Sequence, residues 1–422
     1  MFYGKVRNMK SSRTNNVNGK RILLLQGPMG NFFKRLDNEL RKKGAITYKI
    51  GLNAGDQFFS YRDNYTPYRK KRKYWQRSVS DFLVQNQIEQ LYLFGDCRFY
   101  QSQAIYAAEK LGIEVFVFEE GYVRPNFITF EKHGVNNNSR IRRDRGFYDA
   151  LDLEKLPEVS CVPSNFSHSA MIFSAMTYYF LGNVFHYAYP HYRHHRDFSG
   201  LKEAFYGIRS FVRKQFYKLK ERNKLARITE SFTKDYFFVP LQTHNDFQIL
   251  KHSGYPSIEK FIIEVVESFA QHAPKDVCLM FKHHPVDRGR KNYTSFIEEQ
   301  ARVYGVPKRI CVVHDVYLPD CLKHAKGTIT VNSTVGLSSI FHGTPTLVMG
   351  QAIYDIEGLT NHGVSLAHFW QQQLKPDAVL FEKYRRYLVC TSQLNGSFYG
   401  MMPSLDNKIC LADGALELKS DS

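Results

Sequence analysis

An apolar run in the second half of the chain ends abruptly in polar side chains. The stretch DYFFVPLQTHNDFQ, residues 235–248, places Gln242, Asp246 and Gln248 directly after its apolar residues. A carboxylate held between amide side chains stays ionised and oriented, as a nucleophile that forms a covalent intermediate must be. Asp246 could equally form a turn or cap the next helix, because aspartate favours both positions. The spacing indicates a candidate nucleophile and leaves the capping interpretation open.

A second apolar run ends in basic side chains. In KHHPVDRGR, residues 282–290, Lys282, His284 and Arg288 follow the apolar segment VCLMF. A proline directly after the two histidines stops strand pairing. Several cations at one strand end suit a phosphate or carboxylate ligand. A basic surface turn is the alternative, but the apolar character of the preceding strand favours a binding site.

A third strand gives way to a helix in TVNSTVGLSSIFHGTPTLVMG, residues 330–350. Asn332, Ser333 and Thr334 lie at the junction. Serine and threonine are good N-caps there, so capping alone is one interpretation. The same helix start exposes backbone N–H groups that bind phosphate oxygens. We predict an anion site at this junction, with Gly336 allowing a ligand or a neighbouring strand to approach closely.

The first half contributes two weaker candidates. In FEEGYVRP, residues 118–125, the adjacent carboxylates of Glu119 and Glu120 could raise the pKa of one of them and produce a general acid or base. The alternative is an exposed turn with an internal ion pair to Arg124. Gly27, in the segment LQGPMGNFF, could help to cradle an anion, but GPMG does not match a nucleotide-binding GxGxxG motif.

The elements that would position these residues alternate between strand and helix in both halves of the chain. This rhythm predicts an α/β fold with two Rossmann-like parallel sheets, in which chemistry gathers at the carboxyl ends of the strands. Two such halves facing a cleft form the GT-B architecture of glycosyltransferases. We predict an N-terminal Rossmann-like domain over 20–160, a helical, basic and aromatic, membrane-facing insert over 161–230, a C-terminal Rossmann-like domain over 231–365 and a tail over 366–422 that packs back; the family resemblance given below implies an acceptor role for the first domain and a nucleotide-sugar role for the second.

The charge balance restricts the partners. The chain carries 58 basic and 40 acidic residues, for a net charge of +18, and 15% of its residues are aromatic. An excess of this size points to nucleic acid, an anionic membrane surface or a phosphorylated substrate. We find no helix-turn-helix, RNP or zinc pattern and therefore expect no nucleic-acid partner.

Cysteine usage and hydropathy favour a cytoplasmic protein at a membrane surface. The seven cysteines show no CxxC spacing, which indicates free thiols in a reducing compartment. We see neither a secretory signal nor a membrane span, since the most apolar stretch, 170–189, is interrupted by polar residues. His191, His194 and His195 more plausibly extend a basic interfacial face than bind a metal.

Four segments, taken together and in order, resemble the capsule polysaccharide biosynthesis family known as KpsS/LipB. They are FEEGYVRP, VPLQTHNDFQ, KHHPVDRG and NSTVGLSSIFHGTP. The resemblance covers roughly residues 20–365. It implies a GT-B-like enzyme of Gram-negative bacteria that is cytoplasmic and peripherally associated with the inner membrane. Such enzymes are retaining β-Kdo transferases that use CMP-Kdo and bind the nucleotide on the C-terminal half. They build the oligo-Kdo linker on a (lyso)phosphatidylglycerol anchor and work with capsule assembly and ABC-export components.

The resemblance also implies roles for particular residues. Asp246 would be the nucleophile that forms a covalent Kdo adduct, and Gln242 and Gln248 would orient it. His284, with Ser333 beside Thr334 at the helix start, would hold the CMP phosphate.

Four further residues are implied to contact the sugar, the acceptor or the leaving group. Lys282 and Arg288 would bind the Kdo carboxylate. Glu120 and Arg124 would face the acceptor or the leaving group. Because the sequence contains no DxD motif, we expect a metal-independent reaction and no cofactor.

Three other functions stay open. A non-catalytic export or scaffold protein at the inner membrane would need the basic aromatic surface but not the polar strand ends. A nucleic-acid-binding protein would use the basic stretches 61–77 and 191–227. A transferase that uses another CMP-sugar, such as CMP-sialic acid, would need the same polar clusters.

Overall fold

The structure, a computed structural model, describes residues 17–60, 63–193, 200–221, 235–243 and 253–405. Its residues form two compact units of mutually contacting segments. The first unit contains the described residues up to 140, then 157–193 and 387–405. The second unit contains 141–156 and the described residues from 200 to 386.

The first unit is built on a seven-stranded sheet with strand order β12-β6-β5-β4-β1-β2-β3. Strands β1 to β5 run parallel, whereas β6 and β12 are added antiparallel at one edge. The strands are β1 (Arg21–Leu24), β2 (Ile46–Gly51), β3 (Tyr65–Pro67), β4 (Gln90–Phe94), β5 (Glu114–Glu120), β6 (Phe127–Lys132) and β12 (Gln393–Asn395).

Helices cover both faces of this sheet because its strands are apolar on both sides. In β1, Leu23 packs into the core on one face, while Ile22 and Leu24 pack into the core on the other. Such two-sided burial is typical of a parallel sheet. The helices of this unit are α1 (Phe32–Lys42), α2 (Ala54–Ser60), α3 (Trp75–Gln85), α4 (Phe99–Lys110) and α6 (His168–Val184).

The second unit contains a five-stranded sheet that is parallel throughout, with strand order β11-β10-β7-β8-β9. Phe237 and Val239 of its central strand pack on one face, and Tyr236 and Phe238 pack on the other. The strands are β7 (Tyr236–Pro240), β8 (Cys278–Lys282), β9 (Ile310–Val313), β10 (Gly327–Thr330) and β11 (Thr346–Val348).

The helices of the second unit follow its strands in the alternation that the sequence predicts. They are α5 (Arg145–Asp149), α7 (Gly200–Lys220), α8 (Ile258–His272), α9 (Thr294–Val303), α10 (Leu318–His324), α11 (Thr334–Phe341), α12 (Leu366–Phe369) and most of α13 (Ala378–Ser392). Two α/β units with mainly parallel sheets confirm the predicted fold class.

The helical stretch that the sequence predicts as one insert over 161–230 is divided between the units. Each helix follows its own buried contact. Helix α6 is held in the first unit by the buried Tyr178, which hydrogen-bonds Asp56. Helix α7 is held in the second unit by the buried Tyr217, whose ring stacks on His314. The segment 387–405 joins the first unit through β12, which pairs with β6.

Candidate active site

The parallel strands of the second unit end at one edge of their sheet, and most of the predicted site residues lie there. Gln242 follows β7, Lys282 ends β8 and Asn332 follows β10. Because all five strands run in the same direction, these positions are neighbours in space although up to 90 residues separate them in sequence.

Gln242 and Asn332 bind each other directly. The Nε2 of buried Gln242 donates to Oδ1 of Asn332 at 3.0 Å, and the backbone N–H of Asn332 donates to Oε1 of Gln242 at 3.2 Å. This two-point contact joins the ends of β7 and β10 and fixes the orientation of the Gln242 amide. The sequence predicts both residues for the site but not their contact.

Lys282 is a buried lysine at the end of β8, with 7% of its surface exposed. Burial lowers the pKa of its ammonium group. Among the residues that the structure describes, no carboxylate pairs with this group and no oxygen accepts a hydrogen bond from it. Keeping a buried cation without a carboxylate partner is costly, and a bound anion would remove that cost.

Arg288 lies in the 3-10 turn Pro285–Gly289 that follows β8, and a carboxylate holds its side chain. Its Nη2 donates to Oδ1 of Asp315 at 2.7 Å, and the guanidinium is only 10% exposed. Its Nε is buried and has no hydrogen-bond partner in the described part of the chain. Asp315, which follows β9, therefore holds one side of the Arg288 guanidinium. The Nε–H donor on this group has no acceptor among the described residues.

The remaining predicted phosphate ligands also act as caps. Nδ1 of His284 accepts from the backbone N–H of Val286 at 3.2 Å, at the start of the 3-10 turn Pro285–Gly289. Oγ of Ser333 accepts from the backbone N–H of Val335 at 3.2 Å and caps α11. Thr334 is the first residue of that helix and is partly exposed. The predicted capping is observed at Ser333, and the N-terminus of α11 lies at the same edge.

Gly336 has a packing role in the structure. A Cβ at this position would collide with the ring and hydroxyl of Tyr354, whose hydroxyl donates to the carbonyl of Ser333. The group that approaches Gly336 closely is therefore the side chain of Tyr354, which also bonds to the residue that caps α11.

A row of stacked rings at this edge is not predicted from the sequence. His314 stacks on Tyr217 with ring centroids 3.8 Å apart and on His283 at 4.7 Å, and His283 stacks on Tyr293 at 5.7 Å. Burial, together with the neighbouring His314 and Lys282, lowers the pKa of His283 to about 3, so the ring is neutral. Its Nε2 accepts from the backbone N–H of Tyr293 at 3.1 Å.

The buried carboxylate of Glu221 anchors the row. It accepts from Nδ1 of His314 at 2.8 Å and from the backbone N–H groups of His314 and Asp315, both at 2.9 Å. Burial alone would raise the pKa of Glu221, but these hydrogen bonds outweigh it and lower that pKa. The HHP and VVHD motifs are visible in the sequence, but their stacking depends on residues of α7.

The candidate nucleophile Asp246, and Gln248 with it, lie outside the described residues, as do His194 and His195. Their assigned roles stay predictions. The described residue Gln242 stands four positions before Asp246, at the edge that the preceding paragraphs define.

In the first unit, the FEEGYVRP segment ends β5 and contains a carboxyl group with a raised pKa. Burial, reinforced by Glu120 and Asp96, raises the pKa of Glu119 to about 7. The side chain of Glu120 is solvent-exposed, and Arg124 donates to the carbonyl of Gly121 at 3.0 Å. A carboxyl group that titrates near neutrality is suited to proton transfer, and here it is Glu119.

Gly27 follows β1 in the first unit, where it packs tightly. A Cβ at this position would lie 2.5 Å from the ring of Phe33, on the first turn of α1. The glycine lets the helix begin close to the strand, and this packing accounts for the residue without a ligand.

A buried polar network in the first unit is also not predicted from the sequence. Asp56 accepts from Tyr178 at 2.9 Å, from the backbone N–H of Leu52 at 2.9 Å and from Gln26 at 3.1 Å, while Asn53 donates to Tyr178 at 2.6 Å. Burial raises the pKa of Asp56 to about 6 in spite of these bonds. The network fastens α6 to the ends of β1 and β2.

The described residues contain neither a metal-binding cluster of side chains nor a membrane-spanning helix. No group of three or more histidine, cysteine, aspartate or glutamate side chains there is arranged to hold a metal ion. None of the helices in the described ranges has the length and apolar character needed to cross a bilayer.

Comparison with known proteins places this chain among capsule proteins. Residues 89–399 match the family model described as capsule polysaccharide biosynthesis protein. The chain is 40% identical over 385 residues to the capsule polysaccharide export protein KpsS of Escherichia coli, covering 91% of this chain and 98% of that protein. It is 35% identical over 400 residues to the capsule polysaccharide modification protein LipB of Neisseria meningitidis serogroup B, covering 90% and 92%.

Among solved structures, a β-Kdo 2,7 transferase, KpsC of Thermosulfurimonas dismutans, is similar with a TM-score of 0.40 and 14% identity, covering 86% of this chain and 89% of that one. The β-Kdo 2,4 transferase of the same KpsC is similar with a TM-score of 0.38 and 15% identity, covering 77% and 83%.

Proposed function

Because this chain belongs to the capsule polysaccharide biosynthesis family that includes KpsS and LipB, we propose that it is a retaining β-Kdo transferase that uses CMP-Kdo as donor. Its product is the Kdo linker on a (lyso)phosphatidylglycerol acceptor, which serves capsule assembly and ABC-dependent export. The enzyme works in the cytoplasm at the inner-membrane surface.

The observation that carries this proposal is the buried Lys282 at a strand end, with Arg288 and the N-terminus of α11 at the same edge of the sheet. CMP-Kdo carries a carboxylate beside its anomeric carbon and a phosphate in its leaving group. Two fixed cations and a helix N-terminus match these two anionic groups.

The proposed reaction proceeds by two displacements at the anomeric carbon. A carboxylate oxygen of Asp246 attacks this carbon, the bond to the phosphate oxygen breaks, and CMP leaves with the electron pair. The acceptor hydroxyl then attacks the same carbon, its proton passes to a general base, and the bond to Asp246 breaks. Two inversions give net retention.

The basic strand ends contribute to both displacements. Lys282 and Arg288 hold the Kdo carboxylate, while His284, Ser333 and Thr334 bind the phosphate whose charge grows as CMP leaves. Gln242 orients Asp246, and its amide is itself held by Asn332. Charge stabilisation by protein donors supplies what a metal ion supplies in DxD enzymes, so the reaction proceeds without metal.

Purified protein, CMP-Kdo and a synthetic phosphatidylglycerol acceptor test the proposal. We expect release of CMP, formation of a Kdo-lipid and unchanged rates in EDTA. Intact-protein mass spectrometry without acceptor should show a Kdo adduct. Asp246→Ala should abolish the adduct and the product, whereas Asp235→Ala, at the exposed amino end of β7, should leave both unchanged.

Two outcomes would contradict the proposal. Equal turnover of CMP-sialic acid and CMP-Kdo would mean that the donor is assigned wrongly. No CMP release from either donor by protein that is folded and binds vesicles would favour the export or scaffold function.

A further inference from the structure

Helix α7 has two faces with opposite surroundings. Toward the second unit it presents Tyr206, Arg213 and Tyr217, and it is followed by the buried Glu221. On the other side, six large apolar side chains are each between 56% and 77% exposed. They are Phe205, Ile208, Phe211, Val212, Phe216 and Leu219.

The spacing of these apolar residues forms one continuous stripe. Positions 205, 208, 212, 216 and 219 follow one another at intervals of three or four, which places them on a single face of an α-helix. A monomeric protein in water rarely leaves such a stripe uncovered, because exposed apolar patches of this kind mark interaction surfaces.

Basic residues border the stripe on both sides. At 100° per residue, Arg209 and Lys220 fall along one border, and Lys218 falls beside Phe211 on the other side. Lys220 lies over the ring of Phe216 at 5.6 Å from its centroid. Between residues 205 and 221 the only carboxylate is Glu221, which is buried and bound to His314.

This arrangement decides between two occupants of the stripe. A second copy of the chain, packed stripe against stripe, would bring the basic borders of both helices together and repel. An anionic bilayer offers apolar chains to the stripe and negative head groups to its borders, which is how interfacial amphipathic helices bind.

The opposite face of α7 ties it to the basic strand ends. Arg213 donates to the carbonyl of Arg288 at 2.9 Å, and the ring of Tyr217 stacks on His314. Gly289 has no Cβ, which lets the backbone carbonyl of Tyr206 come into direct contact with it. The helix therefore cannot settle on a surface without bringing this edge of the second unit with it.

We infer that α7 is a membrane-docking helix: its apolar stripe inserts into the surface of an anionic phospholipid bilayer, and its packed face holds the strand ends that carry Arg288 and His314 next to that surface. This inference deepens the proposed function, since a lipid acceptor must be reached from the bilayer. It identifies the anionic head group as the ligand class of the stripe and its borders.

Co-flotation of the full chain with lipid vesicles tests this assignment. We expect wild-type protein to float with vesicles of 30% phosphatidylglycerol in phosphatidylcholine and to stay behind with pure phosphatidylcholine. The triple variant Ile208→Ser, Val212→Ser and Leu219→Ser should bind the anionic vesicles roughly 100-fold more weakly. The double variant Lys218→Glu and Lys220→Glu should bind more than about 10-fold more weakly, with the loss greatest at low salt.

A matched control also replaces three exposed apolar side chains with serine, at positions outside α7. Val84, Val303 and Val379 are each isolated valines that are more than half exposed. The triple variant with serine at these positions should bind vesicles like the wild type. Far-ultraviolet circular dichroism and thermal unfolding establish that every variant is folded before it is compared.

Three results would overturn the inference: binding that does not distinguish anionic from neutral vesicles, wild-type binding by the α7 triple variant, or a wild-type dimer that the α7 triple variant converts to monomer. CMP release by the wild type with a water-soluble, short-chain phosphatidylglycerol is measured separately without vesicles. Its failure would contradict the proposed function and leave the vesicle result standing.

Discussion

At the carboxyl ends of their strands the two units carry opposite charges. The first unit places Asp56, Asp96 and Glu119 after or at the end of β2, β4 and β5. The second unit places Lys282 and Arg288 at and after the end of β8. Burial acts on both sets by disfavouring the charged form, so it raises the pKa values of Asp56 and Glu119 and lowers that of Lys282.

The two edges also differ in how completely their polar atoms are used. In the first unit, Asp56 accepts from Gln26, Leu52 and Tyr178, so its buried carboxylate is well supplied with donors. In the second unit, Lys282 has no carboxylate partner among the described residues, and the buried Nε of Arg288 has no acceptor there. A satisfied network stabilises a fold, whereas a bound anion would supply acceptors for Lys282 and for the Nε of Arg288. This difference is why we assign the donor to the second unit.

Replacing Lys282 should give the largest effect. In Lys282→Met we expect kcat/KM for CMP-Kdo to fall about 100-fold, because a fixed cation at the reacting anion is lost. The melting temperature should stay the same or rise, because an apolar side chain of similar volume replaces a buried charge that pairs with no carboxylate in the described part of the chain. Steady-state CMP release and thermal unfolding of the same preparation measure both quantities.

Lys326→Met is the control for this substitution. Lys326 precedes β10, at the amino end of the same sheet. Its replacement should change neither kcat/KM nor the melting temperature appreciably. A Lys282→Met enzyme with activity within threefold of wild type would remove the reason for placing the donor on this edge.

The sequence predicts the strand ends of the second unit well because each is an apolar run that stops at polar residues. Helix α11 begins at Thr334, as predicted, since Ser333 caps it locally. The same logic failed to find Asp56, which lies in a short helix with no motif around it. Burial raises its pKa, and its hydrogen-bond partner Tyr178 is 122 residues away, a separation at which contacts leave no local pattern.

The stacked rings were missed for the same reason. His283 and His314 are visible as strand-end histidines, but their neutral, stacked state depends on Tyr217 and Glu221 of the α7 region. The sequence shows that region as aromatic and basic, and it does not show which face packs. Tertiary contacts therefore decided both the assignment of α7 to the second unit and the exposure of its apolar stripe.

The opposite pKa shifts predict opposite pH responses in the two units. The pKa of Glu119 is about 7 in the folded protein and lower in the unfolded chain, so the folded state binds more protons between these values. The free energy of unfolding of the first unit should therefore fall as the pH rises through this window. Glu119→Gln removes the cost of ionising this carboxyl group. Relative to wild type, we expect it to raise the free energy of unfolding by about 2 kcal/mol more at pH 8 than at pH 5.

His283 should act in the other direction. Its pKa is about 3 in the folded protein and about 6.5 when unfolded, so the unfolded state binds more protons between these values. The second unit should gain stability as the pH rises from 3 to 6.5. His283→Gln loses the ring stacking at every pH, but its destabilisation should be about 2 kcal/mol smaller at pH 5 than at pH 8.

Denaturant unfolding at pH 5 and pH 8 measures both variants, and hydrogen exchange of peptides from β5 and β8 assigns each effect to its unit. Ser102→Ala, at a partly exposed position of α4, serves as the pH-independent control. Equal pH slopes in the two variants would contradict the opposite electrostatic character of the two edges.

Gly27 gives the smallest expected effect and tests whether the first unit binds the donor at all. If Gly27 has only a packing role, Gly27→Ala should lower the free energy of unfolding by about 1–2 kcal/mol, because the added methyl collides with the ring of Phe33. KM for CMP-Kdo should not change. If Gly27 instead binds the substrate, as the sequence predicts, the same variant should raise KM severalfold. The double variant Gly27→Ala and Phe33→Leu separates these outcomes, since the smaller side chain makes room for the methyl and should recover stability only if packing is the cause.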